Sequence, residues 1–199
     1  MSDDALEIER VIRNWALWRD TRQWDRLRTC YAPGARVRTT WMIGTAEEFV
    51  AASIRSAANP DAPLAQHALG GTSVQVAGSR ALAETRMTLL LRTRVHDIDV
   101  DITAWGRFID WFVQHDGRWC IQERYPVHEK DRMDAVDPLA TLKLDPARLS
   151  GLPKAYRHIT YAQSLAGATI STNLIEHNSP EQTALYAASG AWLAQKPSA

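Results

Sequence analysis

Cysteine is nearly absent: Cys30 and Cys120 are the only two in 199 residues. Two isolated cysteines without C-x-x-C spacing argue against a zinc motif and a disulfide framework, and lead us to expect a reducing, cytoplasmic setting. Net charge is absent too, with 23 basic and 23 acidic residues. A chain without a field of one sign carries no electrostatic footprint for nucleic acid or for a strongly charged partner. No apolar run approaches the roughly 20 residues that a membrane-spanning helix needs. The first residues, Met-Ser-Asp-Asp-Ala-Leu-Glu, lack the basic and apolar regions of a secretory signal. There is no internal repeat and no low-complexity segment. Phenylalanine is scarce at three residues, whereas tryptophan is plentiful at eight. Indole joins a large apolar area to one N–H donor, so it suits cores and pockets for flat ligands, with the core as the default.

What is present is an ordinary globular composition, 45% hydrophobic and 23% charged. The length fits one domain with an appendage, or two very small domains. From Ala5 to about Leu27 the residues Ile8, Val11, Ile12, Trp15 and Ala16 recur at helical spacing. Asp20 follows Ala16 by four positions and precedes Trp24 by four, so a continuous helix puts its carboxylate on the apolar face. An isolated charge there is costly, and it needs a partner. A break near Asp20, with a new helix at Trp24, would leave the residue at the surface instead.

Pro33-Gly34 ends the helical stretch. Ala35 to Thr40 alternates like a strand. Thr45 and Glu48 form a capping-box signature for a helix to about Ala58. Four β-rich runs follow: Gln66–Val76, Ala81–Thr93, Val100–Val113 and Trp119–Tyr125. The turns at Val76–Arg80 and His115–Arg118 separate them, and Asp116-Gly117 is a strong hairpin signal. Helices followed by a run of antiparallel strands make an α+β pattern, here a curved sheet wrapped over helices as a cone with one open mouth. The texture changes at Asp131. Helices are expected over Pro153–Thr169 and Pro180–Gln195, the second opened by Ser179-Pro180. The expected division is a cone domain over 1–130 and a helical extension over 131–199.

The ordered set Gln23-Trp-Asp-Arg-Leu-Arg28, Tyr31-Ala-Pro33, Ala46-Glu-Glu-Phe-Val50, His67-Ala-Leu-Gly-Gly71-Thr72 and Asp116-Gly-Arg-Trp119 resembles scytalone dehydratase. More widely, it resembles the SnoaL-like group of the nuclear transport factor 2 superfamily. The resemblance covers about residues 5–130. It implies a cone-shaped α+β barrel in which a helix-borne aspartate meets a strand-borne histidine. Asp20 and His67 fall on the aspartate and histidine positions that scytalone dehydratase shares with hexachlorocyclohexane dehydrochlorinase. In those families the pair removes a proton beside a leaving group, without metal or organic cofactor. The chain departs from the dehydratase where a tyrosine would be, at Arg36–Thr40, and where a second histidine would be, at Met87–Leu91. The pocket is therefore expected to be more apolar and the substrate to differ.

The expected chemistry follows from those two residues. Neutral His67 takes a proton from carbon, and Asp20 fixes its tautomer and stabilises the imidazolium. Elimination from a small hydrophobic cyclic molecule is the leading reading. Isomerisation, cyclisation, epoxide hydrolysis and a non-catalytic small-molecule-binding or assembly role are the alternatives. Trp41, Met87, Leu89, Phe108, Asp110 and Tyr125 are expected to line the pocket, with Trp105 on the opposite strand face. Arg124 and Glu123 are read as an ion pair, with no role assigned. Asp97, Asp99 and Asp101 beside His96 superficially suggest a metal site, but a solvated edge-strand face explains them better. No cofactor is expected. A homodimer or homotrimer is, because sheet faces in this fold are usually buried by oligomerisation.

Overall fold

The computed structural model describes residues 2–195. Helix α1 (Asp3–Asp20) begins at Ser2, whose hydroxyl accepts from the Ala5 N–H. Its stripe of Ile8, Ile12, Trp15 and Ala16 is buried, as the spacing predicts. The helix expected to run to Leu27 is in fact two. Arg22 turns left-handed at φ 58°, and the Gln23 N–H returns 2.8 Å to the Trp18 carbonyl. That six-to-one closure is a Schellman ending. It is hidden in the sequence because arginine, rather than glycine, takes the left-handed position. Helix α2 (Trp24–Arg28) follows.

Next come β1 (Tyr31–Arg38), β2 (Ile43–Thr45) and α3 (Ala46–Ala57). The capping box at Thr45 and Glu48 forms as expected, with each side chain accepting from the other's backbone N–H. Strands β3 (Leu64–Ala77), β4 (Arg80–Val95), β5 (Ile98–His115) and β6 (Arg118–Ala135) make an antiparallel meander. Asp116 and Gly117 both take positive φ, 50° and 72°, as a tight primed hairpin turn requires. β6 runs well past Tyr125, where the sequence pattern fades, and through position 130. Beyond it lie α4 (Pro146–Ser150), a 3₁₀ turn (Lys154–Tyr156), α5 (Arg157–Leu165), β7 (Ile175–Glu176) and α6 (Pro180–Ala194). Asp145 caps α4, which the sequence reading did not anticipate.

The curved sheet has the order β2-β1-β6-β5-β4-β3, with β7 also on β6. β1 and β7 run parallel to β6 rather than antiparallel. On one face, Ile102, Ala104, Phe108, Asp110 and Phe112 of β5 are all buried. One half of that face packs on α1, α2 and α3 through Ile8, Ile12, Trp15, Leu27, Phe49 and Val50. The other half, around Val95, Val100 and Ile102, is covered by Tyr156, Ile159 and Tyr161 of the tail. Leu89 touches both clusters. On the opposite face Ile109 and Val127 pack on Leu185 of α6. There Trp192 stacks 4.8 Å from Trp111, whose indole N–H donates 2.9 Å to Ser189.

Candidate active site

Helix α1 lies against β3, the edge strand of the sheet. An edge strand presents backbone N–H groups with no partner strand. The His67 N–H is one of them, and it donates to Asp20 Oδ2 at 2.6 Å. The other carboxylate oxygen, Oδ1, lies 2.7 Å from His67 Nδ1. One carboxylate at the last residue of α1 therefore holds both the backbone and the ring of a single histidine. The pair commits Nδ1 as donor, so a neutral ring keeps its lone pair on Nε2. The side chains are 14% and 11% exposed, sheltered but not sealed. Asp20 remains at the interior although α1 ends there, because β3 supplies the donors that its burial demands.

His67 sits among aromatic rings. Trp15 meets it edge-on at 5.1 Å, Phe108 lies at 6.4 Å, and those two rings are 5.4 Å apart. The Trp15 indole N–H donates 2.6 Å to the Tyr31 hydroxyl, whose pKa burial pushes up. Arg124 reaches the same rings from β6. Its guanidinium carbon is 3.9 Å from the Trp15 centroid and 4.2 Å from that of Phe108. Asp110 accepts from Arg124 Nε and Nη2, both at 2.7 Å, whereas Nη1 is buried with no hydrogen-bond partner among the described residues. Burial works against the Arg124 charge, but the Asp110 carboxylate outweighs it, and the pKa is raised.

Of the expected pocket residues, Phe108 flanks His67, and Met87 shares its cluster. Leu89 stands directly across the ladder from His67. Trp41 lies farther out, 5.8 Å from Phe49. Asp110 is interior but is engaged by Arg124. Tyr125 is a correction. It projects from β6 in the opposite direction to Arg124, and it packs with Trp111 at 5.5 Å and under the Arg38 guanidinium at 3.9 Å. The ion pair suggested for Glu123 and Arg124 is also corrected, since Glu123 takes Arg38 at 2.7 Å. Asp99 and Asp101 pair with Arg94 and Arg92 across the β4–β5 hairpin on a solvated strand face, but β5 is not the expected edge strand: it lies inside the sheet between β4 and β6.

Two depressions of about 500 and 370 Å³ lie away from His67. The larger is on the opposite sheet face, at Arg107, Glu84 and Tyr186; the smaller is between Arg118, Cys120 and the start of α3. Trp15 and Phe108 pack against the His67 ring, and neither of these two depressions reaches it. Sequence reasoning missed Trp15 as a wall of the site and Arg124 as its cation. A lone aspartate inside Phe108-Ile-Asp110-Trp-Phe112 was the available signal, because a buried carboxylate demands a cation. It also missed a second aspartate–histidine pair. Asp131 on β6 accepts from the N–H groups of His158 and Ile159 at 2.7 and 2.9 Å, and from His158 Nδ1 at 2.8 Å, tying α5 to the sheet.

Comparison with known proteins gives three kinds of likeness. A family model described as a SnoaL-like domain matches residues 1–125. Pea pathogenicity protein 2 of Fusarium vanettenii is 29% identical over 82% of this chain and 70% of its own length. Scytalone dehydratase PfmaJ of Pestalotiopsis fici is 28% identical over 67% of this chain and 78% of its own. The crystal structure of a putative scytalone dehydratase from Novosphingobium aromaticivorans superposes with a TM-score of 0.55 at 16% identity, covering 72% of this chain and all of that one. At that identity the superposition speaks for the fold alone.

Proposed function

The chain belongs to the SnoaL-like domain family, and from that premise we propose that it is a cofactor-independent lyase acting on a small hydrophobic cyclic molecule. The observation that carries this reading is the double hold of Asp20 on His67, which leaves Nε2 as the free ring nitrogen in an aromatic interior. Neutral His67 takes a proton from a carbon beside an activating group. Asp20 stabilises the imidazolium that forms. A positioned base of this kind contributes about 10²–10⁴-fold. Arg124 supplies a buried cation on the same aromatic walls, with Nη1 free to donate to negative charge that develops as the proton leaves. In a dehydration the His67 imidazolium returns its proton to the departing hydroxyl, which leaves as water; in a dehydrohalogenation halide departs and the imidazolium loses its proton to solvent.

The test is elimination from a panel of cyclic alcohols and halides by the wild type, His67→Ala and Asp20→Asn. Each substitution should lower turnover at least about 10²-fold while the circular dichroism stays native. Full activity in either variant would sink the proposal. The same base can isomerise a substrate or activate water, and incorporation of solvent ¹⁸O into product separates hydrolysis from elimination. A non-catalytic binding or assembly role is favoured by one observation, the packing of Trp15 and Phe108 against the His67 ring. Turnover of any panel member that depends on His67 decides against it. We further propose that the protein works in the cytoplasm as a homodimer or homotrimer, without nucleic acid or membrane partners. No helix among the described residues is long and apolar enough to cross a membrane. Sedimentation as a monomer at micromolar concentration would count against the oligomer.

A further inference from the structure

Two arginines face each other on the side of the sheet opposite His67. Arg86 of β4 and Arg107 of β5 are direct partners in the ladder. Like charges so placed repel, and the carboxylates around them compensate the two unequally. Arg107 is only 9% exposed. It lies 2.8 Å from Glu84 and 2.7 Å from Glu129, and it donates 3.3 Å to the Gln182 side chain. His177 Nδ1 is 3.5 Å from both of its terminal nitrogens. Arg86 has only the same Glu129 oxygen, at 3.9 Å, among the described residues, and its side chain stays 71% exposed. Its fork of donors is left open.

The larger depression, about 500 Å³, is lined by both arginines. A volume of that size lies within the range of small-molecule sites. The sheet contributes Gly71, Ser73 and Glu84 to its wall, and the tail contributes His177, Gln182 and Tyr186. Gly70 and Gly71 make the irregular step in β3 between Leu69 and Thr72. A Cβ on Gly70 would sit 3.1 Å from the Arg86 Cβ, whereas one on Gly71 would meet nothing within 4 Å. The paired glycines thus keep space open beside Arg86. Ser73 stands across the ladder from Glu84. The Tyr186 hydroxyl donates 2.7 Å to Glu84 Oε1, the oxygen that also faces Arg107. Glu84 Oε2 carries no hydrogen bond among the described residues.

We propose that this depression binds a small hydroxylated anion. Its carboxylate or phosphate group pairs with Arg86, and its hydroxyls bond Glu84 Oε2, Ser73 and the Gln182 amide. A guanidinium fork fits either oxyanion. A hydroxyl donates to a carboxylate oxygen and accepts from an amide, so one ligand satisfies both kinds of group. An apolar ligand would strand these polar groups, and a cation would meet the open charge of Arg86. Sheet and tail both contribute, so the ligand also fastens α6 to the strands beneath it. The site is separate from His67 and does not depend on the reaction proposed there.

Isothermal titration of the full chain with glucuronate, glucose 6-phosphate and glucose tests this. At least one of the two anions should bind with a Kd of about 1 mM or tighter, and glucose at least about tenfold more weakly. Which anion binds better separates a carboxylate from a phosphate ligand. Arg86→Gln should weaken anion binding at least about tenfold and melt as the wild type does, because the side chain it replaces is exposed and closely paired with nothing. Gly71→Leu fills the open space beside Arg86 and should abolish binding while the protein still unfolds cooperatively. His67→Ala should bind the anion as the wild type does. The proposal is overturned if neither anion binds, if glucose binds as tightly as the anions, or if either Arg86→Gln or Gly71→Leu binds undiminished.

Discussion

Asp110 and Arg124 meet through two 2.7 Å hydrogen bonds, and neither side chain shows more than 1% of its surface to solvent. Removing one member of such a pair leaves a bare charge in the interior. Asp110→Ala should therefore cost about 3–5 kcal/mol in urea unfolding. The double variant Asp110→Ala, Arg124→Met should recover much of that loss, because no uncompensated charge remains. A single variant as stable as the wild type would show that the pair is solvated.

His128 makes acid stability predictable in sign. Burial lowers its pKa in the folded state to about 4, from 6.5. Between those values the unfolded chain binds the extra proton, so stability is complete above about pH 6.5 and is lost as pH falls towards 4. The full loss is about 3 kcal/mol. Urea midpoints measured at pH 7 and pH 4.5 should fall more steeply for the wild type than for His128→Leu. Parallel slopes for the two proteins would exclude His128 as the cause.

Both thiols are shielded. Burial pushes Cys30 up to about 12 and raises Cys120 as well. The thiolate is the reactive form. Native protein at pH 8 should consume almost no thiol reagent over minutes, and denatured protein should consume two equivalents. Rapid labelling of either cysteine in the native state would contradict this packing.

Asp131 is an N-cap lent to α5 by another element. Tyr156 precedes the helix and offers no side-chain cap. Asp131→Ala removes the acceptor for two backbone N–H groups and for the His158 ring. It should cost about 1–2 kcal/mol, the scale of a lost cap. Hydrogen exchange should quicken in 154–165 before it quickens in β3–β5. Uniform acceleration across the chain would instead mean that tail and sheet unfold together.

The sequence reading was strongest where one rule governs. The Thr45 capping box, the Asp116-Gly117 turn and the buried stripe of α1 are each local chemistry. It failed where one residue is out of step. Counting back residue for residue from His115 opposite Arg118 puts Glu123 opposite Asp110, two like charges. An irregularity between Trp111 and Phe112 shifts the register, and Arg124 stands there instead. No local pattern announces that bulge; only the energetic need of Asp110 does. The left-handed Arg22 is hidden in the same way. The meeting of Asp20 with His67 was legible only through resemblance, because it depends on which helix lies along an edge strand. Tyr125 was misplaced because the apolar character of a strand residue does not say which face it takes.

The tail that covers Val95, Val100 and Ile102 has an implication for how the chain is made. Synthesis delivers β4 and β5 well before Tyr156, Ile159 and Tyr161 exist. Until residue 174 leaves the ribosome, half of the sheet's inner face stays bare, an apolar surface open to chaperones and to aggregation. A chain that terminates early would keep Asp20, His67 and Arg124 and still present this sticky surface. The final third of the sequence thus closes the apolar half of the sheet that the first two thirds leave open.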